Sequence, residues 1–332
     1  MIQRIEEEPE FEPRPEMTYR SIGESGIRVS VIGYGTWSIG GIKWGPTDDD
    51  LSMKALHRAL DHGINLFDTS SMYGRGRSER LLGNVARERR EEMVIATKGG
   101  VRIRSDGSLY CDTRPETLQE DLDRSRERLD TDTIDLYQIQ WPPEDGLSAS
   151  TLQKVEDLLD RGTIRAFGVC HFPAPALERI RRHLPLATVQ LRVNLLEPER
   201  FEREHKYCIE HNIDVLSCTP LAKGILTGKH HTRPDLDPID NRSGDPLFDP
   251  DRFSDDRETV EDVVEVAGDL DKPASAVALN WTHQQEGITA ALAGMKTVDQ
   301  VDQNVYAAGW SFSEAVDDEW GTGKTDAKED DP

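Results

Sequence analysis

Eight short runs rich in β-branched residues alternate with longer amphipathic runs along most of this chain, and that alternation restricts the fold more than any other feature. The strand candidates are VSVIG (29–33), INLFD (64–68), MVIAT (93–97), TIDLYQIQ (133–140), IRAFGV (164–169), TVQL (188–191), IDVLSC (213–218) and ITAALA (288–293). Between them, DDDLSMKALHRALDHG (48–63), SERLLGNVARERR (78–90), RPETLQEDLDRSRERL (114–129), SASTLQKVEDLLDRG (148–162), PAPALERIRRH (173–183) and EPERFEREHKYCIEHN (197–212) carry apolar residues at helical spacing. Eight strands joined by helical crossovers predict a parallel sheet, and at this count an α/β fold of the closed (β/α)8 TIM barrel type rather than an open doubly wound sheet. A dinucleotide fold of the open type would need its glycine fingerprint after the first strand. GYGTWSIGG supplies Gly33 and Gly35 but puts Ser38 where the third glycine belongs.

A chain of 332 residues can bury a large core. The barrel is expected over 17–312 as one domain, with long loops at 99–112 and 222–254 on its C-terminal face. Residues 1–16 and 313–332 are rich in Glu, Asp and Pro and are expected to be disordered acidic tails. The net charge is −23, which argues against nucleic-acid and anionic-membrane partners. Only 11 Lys stand beside 29 Arg and 63 acidic residues, a composition expected of a halophilic protein kept soluble in high salt. The ordinary alternative is an acidic cytosolic enzyme. The N-terminus is acidic where a signal peptide would be basic and then apolar, and no long apolar run is present, so a cytoplasmic location is expected. The cysteines at 111, 170, 208 and 218 lack the spacing of a zinc site or a disulfide framework, so free thiols and no metal are expected.

Chemistry concentrates where strands would end. Asp68 closes the second strand, Tyr73 follows five residues later, Lys98 closes the third and Gln140 the fourth. Singly, each has a structural alternative: a turn cap, a rim aromatic, a surface charge. Together they form a charge-complementary group at one barrel mouth. An ammonium held by a carboxylate favours the phenolate, so Lys98 is expected to lower the pKa of Tyr73 and make it a general acid.

The phrases YRSIGESGIRVSVIGYGTW, FDTSSMYG, VIATKGG and DLYQIQWP, and the match from about Met17 to Trp310, resemble the aldo-keto reductase family. The resemblance implies a catalytic set of Asp68, Tyr73, Lys98 and Gln140, with Tyr73 protonating a carbonyl oxygen while NADP(H) delivers hydride. A small-molecule aldehyde or ketone is the implied substrate. The family usually has histidine in a phrase like YQIHWPD; here Gln140 stands in its place. A glutamine amide can donate a hydrogen bond but carries no proton or charge, so reduced but real activity is expected.

The resemblance also implies a cofactor pocket that includes Gly35, Thr36 and Asp68. The family holds the nicotinamide amide with a Ser-Asn pair and a glutamine and stacks an aromatic ring on it; this chain keeps Gln190 but has Cys170, His171 and Cys218 at the other positions. His171 is open to two readings, a carboxamide ligand or a replacement acid-base group. In TPLAKGILTGK, Thr219, Pro220, Leu221, Lys223 and Gly224 resemble the diphosphate segment. In AGMKTVDQVDQNVYAAG, Gly294, Lys296, Gln300, Gln303 and Asn304 resemble the adenosine site, with helix eight beginning near Val298. Lys296 near a ribose 2′-phosphate favours NADP(H) over NAD(H). Trp37, Tyr73, Tyr110 and Trp141 are candidate substrate walls. The rival reading is a nicotinamide-binding sensor or regulatory protein with vestigial reductase activity. Oligomeric state is left open.

Overall fold

The computed structural model describes residues 15–104, 106–199, 201–312 and 320. An antiparallel hairpin, β1 (Tyr19–Ile22) and β2 (Ile27–Ser30), leads into β3 (Ile32–Gly35), α1 (Asp49–Asp61), β4 (Leu66–Asp68), α2 (Arg77–Arg89) and β5 (Val94–Gly99). A second hairpin, β6 (Val101–Ile103) and β7 (Leu109–Cys111), precedes α3 (Pro115–Leu129), β8 (Ile134–Ile139), α4 (Ala149–Asp160) and β9 (Ile164–Cys170). Then come α5 (Ala174–Arg181), β10 (Thr188–Arg192), α6 (Glu202–Glu210), β11 (Asp214–Cys218), α7 (Pro250–Asp255), α8 (Arg257–Asp269), α9 (Ala274–Gln284), β12 (Ile288–Gly294) and α10 (Val298–Asn304). The parallel order β3-β4-β5-β8-β9-β10-β11-β12 closes on itself because β12 pairs with β3. The fold is a (β/α)8 barrel, as the alternation of elements predicts.

Helices begin where the sequence offers caps. The side chains of Asp48, Ser148 and Thr297 accept from Leu51 N, Thr151 N and Gln300 N at the heads of α1, α4 and α10. Pro115 opens α3, where its missing N–H costs nothing.

Alternation along each strand sorts residues into two cores. Phe67, Ile95, Tyr137, Phe167, Val189 and Val215 face the surrounding helices in the larger cluster. Leu66, Ala96, Leu136, Ala166, Leu216 and Ala290 fill the barrel interior, where they join Ile22, Ile27 and Val29 of the first hairpin. That hairpin plugs the floor. Two residues further along the same inward faces the lining turns polar: Asp68, Lys98, Gln138 and Cys218 follow Leu66, Ala96, Leu136 and Leu216. The alternation thus places a polar layer at the C-terminal mouth.

Two expectations shift, and one helix goes unannounced in the sequence pattern. VSVIG is two elements: Val29 and Ser30 end the floor hairpin, Val31 N bonds to Thr18 O, and the barrel strand starts at Ile32. The 99–112 segment is largely the β6–β7 hairpin, entered through Gly100 at φ 84°, turned at Gly107 at φ 86° and tied to α3 through Arg102 and Asp121. Helix α9 lacks an amphipathic signature because it is buried all round from Ser275 to His283. Of the acidic tails, 1–14, 313–319 and 321–332 lie outside the described residues. Trp320 packs edge-on against Phe312, its carbonyl accepting from Trp281 Nε1. Among the described residues no helix is long and apolar enough to cross a membrane.

Candidate functional site

Strand register brings the polar layer into contact. Asp68 on β4 lies opposite Gly35 and Ala96, Lys98 on β5 opposite Gln138, and Gln190 on β10 opposite Cys170. Lys98 Nζ sits 2.5 Å from Asp68 Oδ1, donates to Thr69 O at 2.9 Å, and lies 3.5 Å from the Tyr73 hydroxyl. The pair is desolvated, with side chains 1% and 6% exposed. Asp68 Oδ1 also accepts from Gln190 Nε2 at 3.0 Å and Gln138 Nε2 at 3.4 Å. A buried carboxylate needs such donors. Thr36 pins the strand end, its N and Oγ1 both donating to Asp68 O.

The electrostatics correct one expectation. Burial raises the Tyr73 phenol above its ordinary value, and the Lys98 ammonium offsets this only in part while Asp68 adds to the rise. The physical reason is that a phenolate there has lost its water, and Asp68 works against the field that Lys98 exerts. Burial works to discharge Lys98, yet the neighbouring Asp68, Tyr73 and Cys170 hold its ammonium above the ordinary range. At neutral pH the site therefore holds a protonated phenol against a protonated amine.

Gln140 follows the last residue of β8, its N donating to Gly99 O at 3.1 Å. Its Oε1 accepts from Ser70 Oγ at 2.9 Å. Sequence reasoning missed Ser70 and Gln138. Gln138 had a signal, since it shares the inward face of β8 with Gln140; Ser70 had none, because its partner is 70 residues away.

The nicotinamide positions form a connected patch. Cys170 Sγ donates to Gln138 Oε1 at 3.6 Å, and Cys218 Sγ lies 3.9 Å from His171 Nε2. Burial raises both thiols, Cys218 to about 11, so both stay protonated. His171 takes a left-handed backbone at φ 59° and stacks on Phe201 at 5.5 Å. Gln190 spends Nε2 on Asp68, which leaves Oε1 as the end available to a carboxamide.

After β11, Thr219, Ala222 and Lys223 are non-glycine residues at φ 55°, 47° and 56°, and Gly224 stands at 99°. Such strain gathers at ligand clamps. Pro220 is buried and Leu221 packs on the larger core. The Lys223 ammonium, expected free for a diphosphate, pairs with Asp245 at 2.7 Å and donates to Asn241 O at 3.3 Å. Arg192 meets the same carboxylate at 3.2 Å. Burial would raise Asp245, but Arg192 and Lys223 hold its carboxyl down to about 2. The long seventh loop is thereby latched across the mouth: Asn241 N donates to Lys43 O at 2.8 Å, Lys223 lies 5.7 Å over Trp37, and Arg242 lies 5.8 Å over Trp44.

Behind this strap, Lys296 Nζ donates to Trp44 O at 2.5 Å and Lys296 N to Gln300 Oε1 at 2.7 Å. Burial lowers Lys296, the charges of Arg242 and Lys229 lower it further, and Asp240, which pairs with Arg242 at 2.9 Å, acts the other way. Those cations therefore crowd one spot on a strongly acidic protein. Gln303 is exposed, whereas Asn304 is buried; among the described residues its Nδ2 lacks a partner, as do Ser38 Oγ, Trp44 Nε1 and Asn241 Nδ2 in the surrounding loops. A Cβ on Gly294 would stand 3.3 Å from Ser38 Oγ, so glycine keeps the approach open. Buried donors without partners beside clustered cations fit a polar, anionic cofactor.

Trp37 stacks on Tyr73 at 5.9 Å and meets Trp44 edge-on at 5.1 Å, giving the mouth an aromatic wall. Trp141 borders the β6–β7 hairpin, its carbonyl 3.8 Å from Cys111 Sγ. The Tyr110 ring lies under Arg104 at 4.5 Å on that hairpin, apart from the Trp37–Tyr73 stack.

A closed (β/α)8 barrel with a buried lysine–carboxylate pair under a tyrosine at its strand ends defines a class of barrel oxidoreductase. The chain belongs to the aldo/keto reductase family, whose model matches residues 31–322. It is 34% identical to aldo-keto reductase YhdN of Bacillus subtilis (strain 168) over 300 residues, covering 90% of each. It is 29% identical to the NADH-specific methylglyoxal reductase of Escherichia coli (strain K12), covering 89% of this chain and 94% of that one. Among solved structures, the glycerol dehydrogenase AKR11B4 from Gluconobacter oxydans matches with a TM-score of 0.84 at 32% identity, covering 91% of this chain and 94% of that one. An aldo-keto reductase from Bacillus halodurans shares the fold, with a TM-score of 0.73 at 24% identity.

Proposed function

We propose that this protein is an NADP(H)-dependent carbonyl reductase that converts small aldehydes or ketones to alcohols. The observation that carries the reading is Lys98 Nζ lying between Asp68 at 2.5 Å and the Tyr73 hydroxyl at 3.5 Å, at the mouth of a barrel of this family. A nicotinamide cofactor supplies hydride to the carbonyl carbon when bound. Tyr73 gives its proton to the carbonyl oxygen, where negative charge grows, and Lys98 faces the phenolate left behind. Asp68 holds Lys98 in place, and Gln190 and Gln138 hold Asp68. Gln140 donates a second hydrogen bond to the same oxygen without changing charge. Cys170, His171 and Gln190 would border the nicotinamide, and the 219–224 segment with its strap the diphosphate.

Two relatives are named for a methylglyoxal reductase and a glycerol dehydrogenase, which suits small polar carbonyl compounds and their alcohols as the substrate range. Lys296 and Arg242 at Trp44, with the charge of Lys229 felt at Lys296, favour a cofactor bearing a 2′-phosphate, which would share Arg242 with Asp240. The net charge of −23 and the Arg-over-Lys bias support a salt-adapted cytoplasmic enzyme, since screening relieves the self-repulsion of such a surface.

The test is titration with NADPH and NADH in high salt, followed by single-turnover hydride transfer to a small aldehyde. Lys296→Ala should weaken NADPH roughly tenfold or more and leave NADH within about twofold. Equal losses for both would remove the phosphate assignment. Tight cofactor binding with no transfer would instead favour the rival sensor, whose support is the set of substitutions at Gln140, Cys170, His171 and Cys218.

A further inference from the structure

We propose that Ser70 is a positioning residue that fixes the Gln140 amide so that its nitrogen, and not its oxygen, faces the substrate oxygen. This rests on the carbonyl-reductase reading of the site. Ser70 is completely buried in the turn between Asp68 and Tyr73. Its hydroxyl oxygen accepts from Met72 N at 3.2 Å, and its single hydrogen goes to Gln140 Oε1 at 2.9 Å. Were the amide turned over, the Ser70 hydrogen would lose the one acceptor it has among the described residues. A buried hydroxyl hydrogen without an acceptor is unfavourable, so the observed orientation is held.

The consequence falls on the other end of the amide. Gln140 is half-buried, and among the described residues nothing accepts from its Nε2. Its backbone is fixed by Gly99 O, one residue beyond Lys98, and Ser70 O accepts from Tyr73 N at 3.0 Å. One short turn therefore carries the phenol and orients the amide. A carbonyl oxygen that gains negative charge can only accept hydrogen bonds, so an amide nitrogen there stabilises it, whereas an amide oxygen would repel it. Because the amide does not titrate, this second donor works at any pH.

The experiment compares wild type, Ser70→Ala, Gln140→Ala, the double variant and Gln140→Glu in NADPH-dependent reduction of a small aldehyde. Cofactor affinity is followed by fluorescence. Ser70→Ala should lower kcat roughly 3- to 10-fold with NADPH affinity within about twofold, and should cost less than about twofold in the Gln140→Ala background. Gln140→Glu should fall below Gln140→Ala, since a carboxylate beside the growing charge offers no donor. Equal losses from Ser70→Ala in both backgrounds would show that Ser70 acts through the Met72 turn and overturn the proposal. Gln140→Glu at wild-type activity would overturn it too, even if Ser70→Ala fails to fold. A wild type that reduces no aldehyde would remove the carbonyl-reductase reading and the proposal with it, whereas an active wild type with unchanged Ser70→Ala removes the proposal alone.

Discussion

The mouth of this barrel buries charge and its floor half-buries it, and they use it in opposite ways. At the floor, Arg20 donates to the carbonyls of His283 and Ile288, each at 2.6 Å, while Asp214 accepts from Gly23 N and Thr289 Oγ1, each at 2.5 Å. Those charges are matched to fixed partners that tie the hairpin plug to β11 and β12. At the mouth, Lys98 keeps a loose 3.5 Å contact with a phenol, and among the described residues the Gln140 amide nitrogen, Ser38 Oγ and Asn304 Nδ2 have no partner. Satisfied charge stabilises a fold; incompletely satisfied polar groups at strand ends are where a ligand and a reaction find partners.

The largest expected effect tests the mouth. Tyr73→Phe should lower single-turnover hydride transfer by roughly 10²- to 10⁴-fold while NADPH binding stays within a few fold. Near-normal transfer in that variant would relieve the phenol of its role and leave the mouth no more chemical than the floor. Next, Arg20→Met should destabilise the protein by about 2–4 kcal/mol in urea unfolding, because two buried carbonyls lose a charged donor, with kcat unchanged. A drop in kcat without a drop in stability would reverse the contrast between the two ends.

The smallest effect is a pH dependence at the floor. Burial, and then the charge of Arg20, push His283 down to about 4, so the folded protein holds it neutral while the unfolded chain takes up a proton near the ordinary value. Between those two values the unfolded state binds more protons, so this contribution is complete above about pH 6.5 and is lost as pH falls toward 4. It should cost about 2 kcal/mol at pH 5. Urea midpoints of wild type and His283→Gln, compared from pH 7.5 to 4.5, check this: the variant should lack that slope, and parallel curves would count against it.

The eight barrel strands were legible because short β-branched runs between amphipathic helices leave little else to build. Asp68, Lys98 and Tyr73 were legible as a group for the same reason: strand ends converge in a barrel, so residues that close neighbouring strands must meet. Other features were hidden. VSVIG reads as one strand, and only the need to fill the barrel floor breaks it at Val31. Helix α9 shows no amphipathic face because it has no solvent face. The direction of the Tyr73 shift was also hidden, since a nearby ammonium argues for lowering and only the depth of burial shows which influence prevails. Arg242 and Trp44 carry no local signal that a strap from the seventh loop would bring them together.

By itself, then, the sequence determined the barrel, the strand ends that meet at its mouth, and the identity of the ionisable groups there, because alternation and strand order are local and topological properties. Only the tertiary structure decided which way those groups lean: which amide turns its nitrogen outward, which lysine is occupied by Asp245, and whether Tyr73 holds or sheds its proton. Hydrogen-bond direction and desolvation depend on neighbours far apart along the chain, and those neighbours exist only once the barrel has closed.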